Sequence, residues 1–243
     1  MEAPEYEAMR IAELTHWWYR ALHREVIFHL RRQPRMECVL DLGCGTGGTM
    51  TRLAEALPKL TCVGMDYSTL ALEACQRRGF SALVQGDAKC LPFGSERFDA
   101  ITCLDVLYTK QAYPGMPDCL ARSRDMLRPG GVLIMQLPAF EGLRSSHDAH
   151  VHGVHRFRSG EVREALGAAG FARTRVYYRY NALAFPAWLL RRTTHAERDE
   201  SHVETPGGLV NSFMDLCMRI EAPIARALPL PVGVSVFAVA WRD

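Results

Sequence analysis

Lysine is nearly missing from this chain: of 29 basic residues, only Lys59, Lys89 and Lys110 are not arginine. Set against 27 acidic residues the net charge is +2, too weak a bias to argue for a nucleic acid or another polyanion as partner. None of the eight cysteines forms a C-x-x-C pair. Cys62 and Cys103 fall inside apolar runs, so the cysteines read as buried free thiols of a reducing compartment. No apolar run reaches the ~20 residues needed to span a bilayer. The opening MEAPEYEAMR is acidic and has no apolar core, so it does not read as a signal peptide. No repeat and no low-complexity tract interrupts the chain. The expectation is a soluble, cytoplasmic protein. At 243 residues it has room for one large domain with an insert.

What is present is alternation. CVLDLG from residue 38, LTCVGMD, SALVQGD, FDAITCLD, VLIMQLP, FARTRVYYRY and VGVSVFAVAW read as seven strands. Between them lie helical patterns. Residues 17–33 carry apolar side chains at 18, 22, 26, 27 and 30. TMTRLAEAL is helical, and STLALEACQRRG has Ser68 as its N-cap and Gly79 just past its end. Residues 117–128 are helical up to Pro129-Gly130-Gly131, and SGEVREALGAAG is closed by Gly170. Strands alternating with helices predict an α/β fold, a mostly parallel sheet covered on both faces. Ligands of such sheets bind beyond the carboxyl ends of the strands. Residues 181–231 break the rhythm with Pro186, Pro206, Gly207, Gly208, Pro223, Pro229 and Pro231. The expected division is an N-terminal helical cap (1–36), a core (37–180), a helical lid insert (181–231) and a final strand (232–243).

The sharpest local signal is Val39-Leu40-Asp41-Leu42-Gly43-Cys44-Gly45-Thr46-Gly47-Gly48, which ends a strand and opens a helix. Glycine is required where the chain turns tightly and where backbone approaches a ligand. The run satisfies G-x-G-x-x-G at Gly43, Gly45 and Gly48, the dinucleotide pattern, but Asp41 would repel a pyrophosphate and attract an ammonium group. Two more acidic strand ends follow. Asp66 stands at the spacing of a ribose-binding carboxylate, and Asp87, within Gly86-Asp87-Ala88, is suited to accept from an adenine amino group.

VLDLGCGTGG, VGMDYS, GDAKCLPF, RFDAITCLDVLY and MLRPGGVLIMQLP together resemble the class I S-adenosylmethionine (SAM) dependent methyltransferases, in the family's order and spacing over residues 38–138. The resemblance implies a Rossmann-like, seven-stranded sheet whose last two strands pair antiparallel. It implies SAM bound by Asp41, Gly43, Cys44, Gly45, Gly47, Asp66, Tyr67, Asp87, Ala88 and Leu104, with S-adenosylhomocysteine as product. His16-Trp17-Trp18-Tyr19-Arg20 and the run from His147-Asp148 to His155-Arg156-Phe157 further resemble bacterial small-molecule (type 11-like) members, as do Asn181, Phe185, Pro186, Arg191 and Leu228–Ser235. The chain departs from that pattern at Gly153, His155 and Phe157.

Methyl transfer from a sulfonium is an in-line displacement, in which positioning and exclusion of water supply much of the rate. A base is needed only for an unionised acceptor. His147 with Asp148, then His150, are the expected catalytic groups, against the plain reading of a polar loop. H-x-x-H-x-H-x-x-H is no standard zinc signature, and no metal is expected. Trp17, Trp18 and Tyr19 either close over the cofactor and acceptor or pack a helix on the sheet edge. Asp105, Tyr108 and His155 are assigned to the acceptor, as are Phe185, Trp188 and Phe213 of a lid. Leu209, Phe213, Leu216 and Ile220 give the lid a buried face. Pro186 is expected to break its first helix.

The expected function is therefore methylation of an O, N or C nucleophile on a small, partly apolar molecule in biosynthesis. The monomer and the dimer stay open. The rivals are SAM binding with other chemistry, an RNA or protein methyltransferase, and an NAD dehydrogenase. No N/D-P-P-Y/F motif and no basic tail support the RNA reading, and Asp41 disfavours the dehydrogenase.

Overall fold

All seven apolar runs form strands. A computed structural model describes residues 3–193, 206–228 and 230–243, with the side chains of 3–5, 146, 147 and 190–193 left outside the described set. In chain order the elements are α1 (Ala3–Ala12), α2 (Trp17–Leu30), β1 (Cys38–Leu42), α3 (Gly48–Ala56), β2 (Thr61–Asp66), α4 (Thr69–Arg77), β3 (Leu83–Gln85), β4 (Phe98–Leu104), α5 (Met116–Met126), β5 (Leu127–Pro138), α6 (Ser146–His150), α7 (Ser159–Ala168), β6 (Arg173–Arg179), α8 (Asn181–Thr193), α9 (Gly208–Ala227) and β7 (Ser235–Trp241).

The strands form one sheet in the order β3-β2-β1-β4-β5-β7-β6. β1 to β5 pair in parallel, and β7 runs antiparallel between β5 and β6. Strand periodicity sorts side chains to the two faces. Leu40, Leu42, Ile101, Cys103, Leu133 and Met135 pack with Cys119 and Leu120 of α5 and Val162 and Leu166 of α7. Val39, Ala100, Val132 and Ile134 pack on the other face with Leu22, Val26 and Leu30 of α2 and Leu53 of α3. The order steps from β1 to β4 at the sheet's centre. The β1 glycine turn and the end of β4 are therefore neighbours, which is where such sheets bind ligands.

α2 is tied to late parts of the chain by buried polar contacts. The Tyr177 hydroxyl donates to Glu25 at 2.5 Å, Arg226 donates to Glu25 at 2.8 Å, and His29 Nε2 lies 3.0 Å from the Tyr177 hydroxyl. Burial alone would raise the Glu25 carboxyl, but these partners and Arg179 hold it down at about 2. Arg24 donates to Asp215 of α9 at 2.6 Å.

The insert differs from the expectation in two ways. α8 runs through Pro186 without a break. Pro186 lies past the first turn and forfeits one internal bond, the one to the Ala182 carbonyl, yet the helix continues through it. Glu221 of α9 accepts from the first backbone N–H groups of α8, at Asn181 and Ala182, at 2.9 and 3.0 Å. The second difference concerns α9. Its packed residues are Asp215, Met218 and Ala225, whereas Leu209, Phe213, Leu216 and Ile220 are exposed. The helical spacing exists, but it marks the outward face.

Candidate active site

The first turn of the site is dictated by glycine. Gly43, Gly45 and Gly47 take φ of 73°, 54° and 87°, values open to glycine at no steric cost. A Cβ on Gly43 would meet Val106 at 2.2 Å, so this backbone position also depends on close approach. Gly47 caps α3 from behind the turn. It is the one expected cofactor residue absent from the cavity wall, because its neighbours there are Cys75 and Arg78.

A cavity of about 950 Å³ runs from this turn along the carboxyl edge of β1, β2 and β4. Asp41, Gly43, Cys44, Gly45, Asp66, Tyr67, Asp87, Ala88 and Leu104 all line it. So do Trp17, Trp18, Tyr19, Asp105 and Tyr108, which places the expected acceptor side chains in the same volume.

Three carboxylates grade the cofactor end. Asp41 is buried and accepts from the Thr102 hydroxyl at 2.6 Å. Its other oxygen has no hydrogen-bond partner. Burial, with Glu13 and Asp66 nearby, lifts its pKa to about 7 against the pull of Thr102. An ammonium group there would satisfy the orphaned oxygen. Asp66 accepts from the backbone of Gly45 and Ser68, both at 2.9 Å. Burial raises its pKa and those bonds oppose the rise. Asp87 accepts from Gln111 at 2.7 Å and from the Lys89 backbone at 3.0 Å. The donor-poor, carboxylate-rich wall fits a cationic, hydroxyl-bearing ligand such as SAM. It does not fit a pyrophosphate.

α1 walls this end. Met9 approaches Gly45, and Glu13 accepts from the Thr46 hydroxyl and from Arg78, both at 2.5 Å. Burial raises the Glu13 carboxyl despite both partners. Sequence reasoning did not pick out Glu13, and no local motif marks it.

At the acceptor end Trp18 stacks on Tyr180 at 3.8 Å, with Trp17 edge-on to both rings. The Trp pair thus both packs and lines. Asp105 has φ 55°, a left-handed turn after β4 that brings its side chain to the cavity. Burial lifts its pKa to about 6, against the pull of Gln136, Arg156 and Arg179. Tyr108 lies beside it, its hydroxyl pushed well above the usual range by burial and by Asp105 and Asp148.

The histidine-rich segment departs from expectation. The His147 side chain lies outside the described residues. Asp148 is clamped by Arg156, whose Nε and Nη2 donate to its two oxygens at 3.0 and 2.9 Å. Its carboxylate is thereby spent on a fork-shaped buried ion pair, not on orienting an imidazole. His150 and His155 do not line the cavity; His155 stacks on Tyr113 at 5.0 Å. His152 does line it, as does Arg156. Phe185, Trp188 and Phe213 lie off the wall, because α9 packs on α2 and β6 and leaves the cavity to α1, α2 and the loops. His23 was also missed. It lines the cavity with an unpartnered Nδ1, and burial first, then Arg52 and Arg24, bring its pKa down to about 3.

A family model described as a methyltransferase domain matches residues 39–131. The demethylmenaquinone methyltransferase of Deinococcus radiodurans is 31% identical over 196 residues, covering 76% of this chain and 75% of that protein. The chain belongs to the class I SAM-dependent methyltransferases. The cofactor of this family is SAM. A trans-aconitate 2-methyltransferase from the same organism is 37% identical over 140 residues, 56% of this chain. The chain spans 48% of that relative's length. The fold is also that of a SAM-dependent methyltransferase from Archaeoglobus fulgidus, with a TM-score of 0.57 at 16% identity over 90% of this chain and 94% of that one.

Proposed function

We propose that the protein transfers the methyl group of SAM to a nucleophilic atom of a small, partly apolar acceptor. One observation carries this reading: the glycine turn and Asp105 open into the same cavity, so a donor at one end and an acceptor at the other share one enclosure. Its volume is in the range of small-molecule sites. Named relatives act on trans-aconitate and on demethylmenaquinone, which supports a small-molecule acceptor and leaves its identity open.

When bound, SAM supplies an activated methyl group for in-line displacement. The chain's own part is positioning. Asp41 neutralises the ligand's ammonium, Asp66 takes the ribose hydroxyls, and Asp87 with Ala88 borders the adenine. Trp17, Trp18 and Tyr19 present ring faces, which attract cations and exclude water. Asp105 is ionised at neutral pH with a pKa close enough to it to accept a proton from the acceptor. We assign the base to Asp105 and leave the histidine-rich loop, through Arg156 and His152, to shape the acceptor end. The eight thiols form no disulfide, which supports a cytoplasmic setting for this chemistry.

The test is incubation with SAM and a panel of carboxylate, phenol or quinol, and amine acceptors, read by mass spectrometry. S-adenosylhomocysteine together with an acceptor gaining one methyl is the expected result. SAM bound tightly but never consumed, in the panel or in a metabolite extract, would overturn it.

A further inference from the structure

α9 is inside out. Leu209, Phe213, Leu216, Ile220 and Ile224 recur every three or four residues and so share one face. They are 91%, 64%, 54%, 58% and 49% exposed. The opposite face is packed on α2 and carries the buried carboxylate Asp215. Helices of globular proteins present the reverse arrangement, apolar side to the core. Scattered exposed leucines need no explanation, but a continuous stripe along a 20-residue helix marks a surface that is covered in use.

The charges say what covers it. α9 has two carboxylates, and neither faces outward. Asp215 is buried; half-buried Glu221 holds the start of α8. One edge of the stripe, the side on which α9 meets α2, is cationic. Arg20, Arg24 and Arg219 gather on Asp215 at 3.2, 2.6 and 3.0 Å, with side chains 34%, 34% and 54% exposed. Three guanidiniums against one carboxylate leave two positive charges beside the apolar arc. An apolar face flanked by arginine, with no outward acid, is the composition of a helix lying in a lipid headgroup layer. Among the described residues no helix is long and apolar enough to cross a membrane, so the attachment is to the surface. α9 also adjoins the cavity: Asn211 accepts from the Trp17 backbone at 2.8 Å and donates to the Thr15 carbonyl at 3.0 Å, and Trp17 is part of the cavity wall.

We propose that α9 docks the protein on an anionic membrane surface, its Leu209-to-Ile224 arc among the headgroups and its arginine rim on the lipid phosphates. The proposal stands apart from which acceptor is methylated. The experiment is flotation of the full chain with vesicles of phosphatidylcholine and phosphatidylglycerol in equal parts, beside vesicles of phosphatidylcholine alone. Flotation with the mixed vesicles and little with the neutral ones is expected. The double variant Phe213→Asp, Ile220→Asp should partition about tenfold more weakly or worse, with melting temperature and SAM affinity unchanged. Four results would each overturn the proposal. They are no flotation with a concentration-dependent dimer, which gives the face to a second copy; no flotation with a double variant that melts lower, which gives it to the chain's own packing; flotation indifferent to the two substitutions; and equal flotation with both vesicle types.

Discussion

Gln136 Nε2 donates to Asp105 Oδ2 at 2.9 Å, and Gln136 Oε1 in turn accepts from Arg179 at 3.2 Å. The relay runs from the edge strand β6, through Gln136 of β5, to the acceptor end of the cavity. It orients one oxygen of Asp105 and supports its charge, while burial works the other way.

Asp105→Asn should lower kcat by about 10²–10⁴-fold, the range of a lost general base, with SAM affinity retained. In the parent enzyme the rate should fall as pH drops through about 6, the value at which Asp105 takes up a proton. Gln136→Leu removes a bond that favours the carboxylate, so this limb should move to higher pH. A pH–rate profile measures both. A limb that stays in place in the leucine variant would separate Asp105 from the chemistry.

Asp41 is costly to the ligand-free protein. Its folded pKa of about 7 lies well above the ordinary aspartate value of 3.8. Its stabilising effect is therefore complete below the unfolded value and is lost as pH rises toward 7. Asp41→Asn should raise the melting temperature of the ligand-free protein at neutral pH and weaken SAM binding. In the parent, SAM affinity should decline as pH falls below about 7. Calorimetry and thermal melts across pH read the two opposed effects.

Asp66→Ala should weaken SAM binding steeply. Each charge-assisted hydrogen bond to a ribose hydroxyl contributes about 1.5–3 kcal/mol. Titration of the folded variant by calorimetry decides the matter, and an unchanged affinity would remove Asp66 from the cofactor site.

The Asp148–Arg156 pair should behave as structure. Arg156→Met leaves a buried carboxylate alone, at a cost of about 3–5 kcal/mol. Asp148 is raised by burial but held below the usual range by Arg156. The stability it confers is therefore present above the unfolded value and lost as pH falls through the folded one. Denaturant melts between neutral and acid pH should show that acid sensitivity in the parent and its loss in the variant.

Strands and the glycine turn were legible because each is a local pattern. A run of apolar residues, a glycine at positive φ and an acidic strand end lie within a few positions of one another. Ser68 and Gly79 bound α4 for the same reason. Spacing also showed that Leu209, Phe213, Leu216 and Ile220 share a side, but a period says only that faces differ, never which one meets the core. Pro186 misled because a single lost bond does not end a helix whose first N–H groups are held from outside, as Glu221 holds those of Asn181 and Ala182. Beside His147 in the chain, Asp148 read as a histidine's partner, and the fold gives it to Arg156, eight residues on. Glu13 is bonded to Thr46 and Arg78, 33 and 65 residues away, and no window of sequence contains that relation.

The contacts of α2 bear on how the chain reaches this state. Glu25 meets Tyr177 and Arg226 across 152 and 201 positions, and Arg24 meets Asp215 across 191. Contacts of such separation slow folding, because loop closure has to precede their reward. During synthesis α2 emerges long before α9 and β6 exist, with Leu22, Val26 and Leu30 awaiting a sheet face and Glu25 awaiting its cation. An element made early thus acquires its neighbours late, and the interval is one in which its apolar side is open to aggregation or to a chaperone.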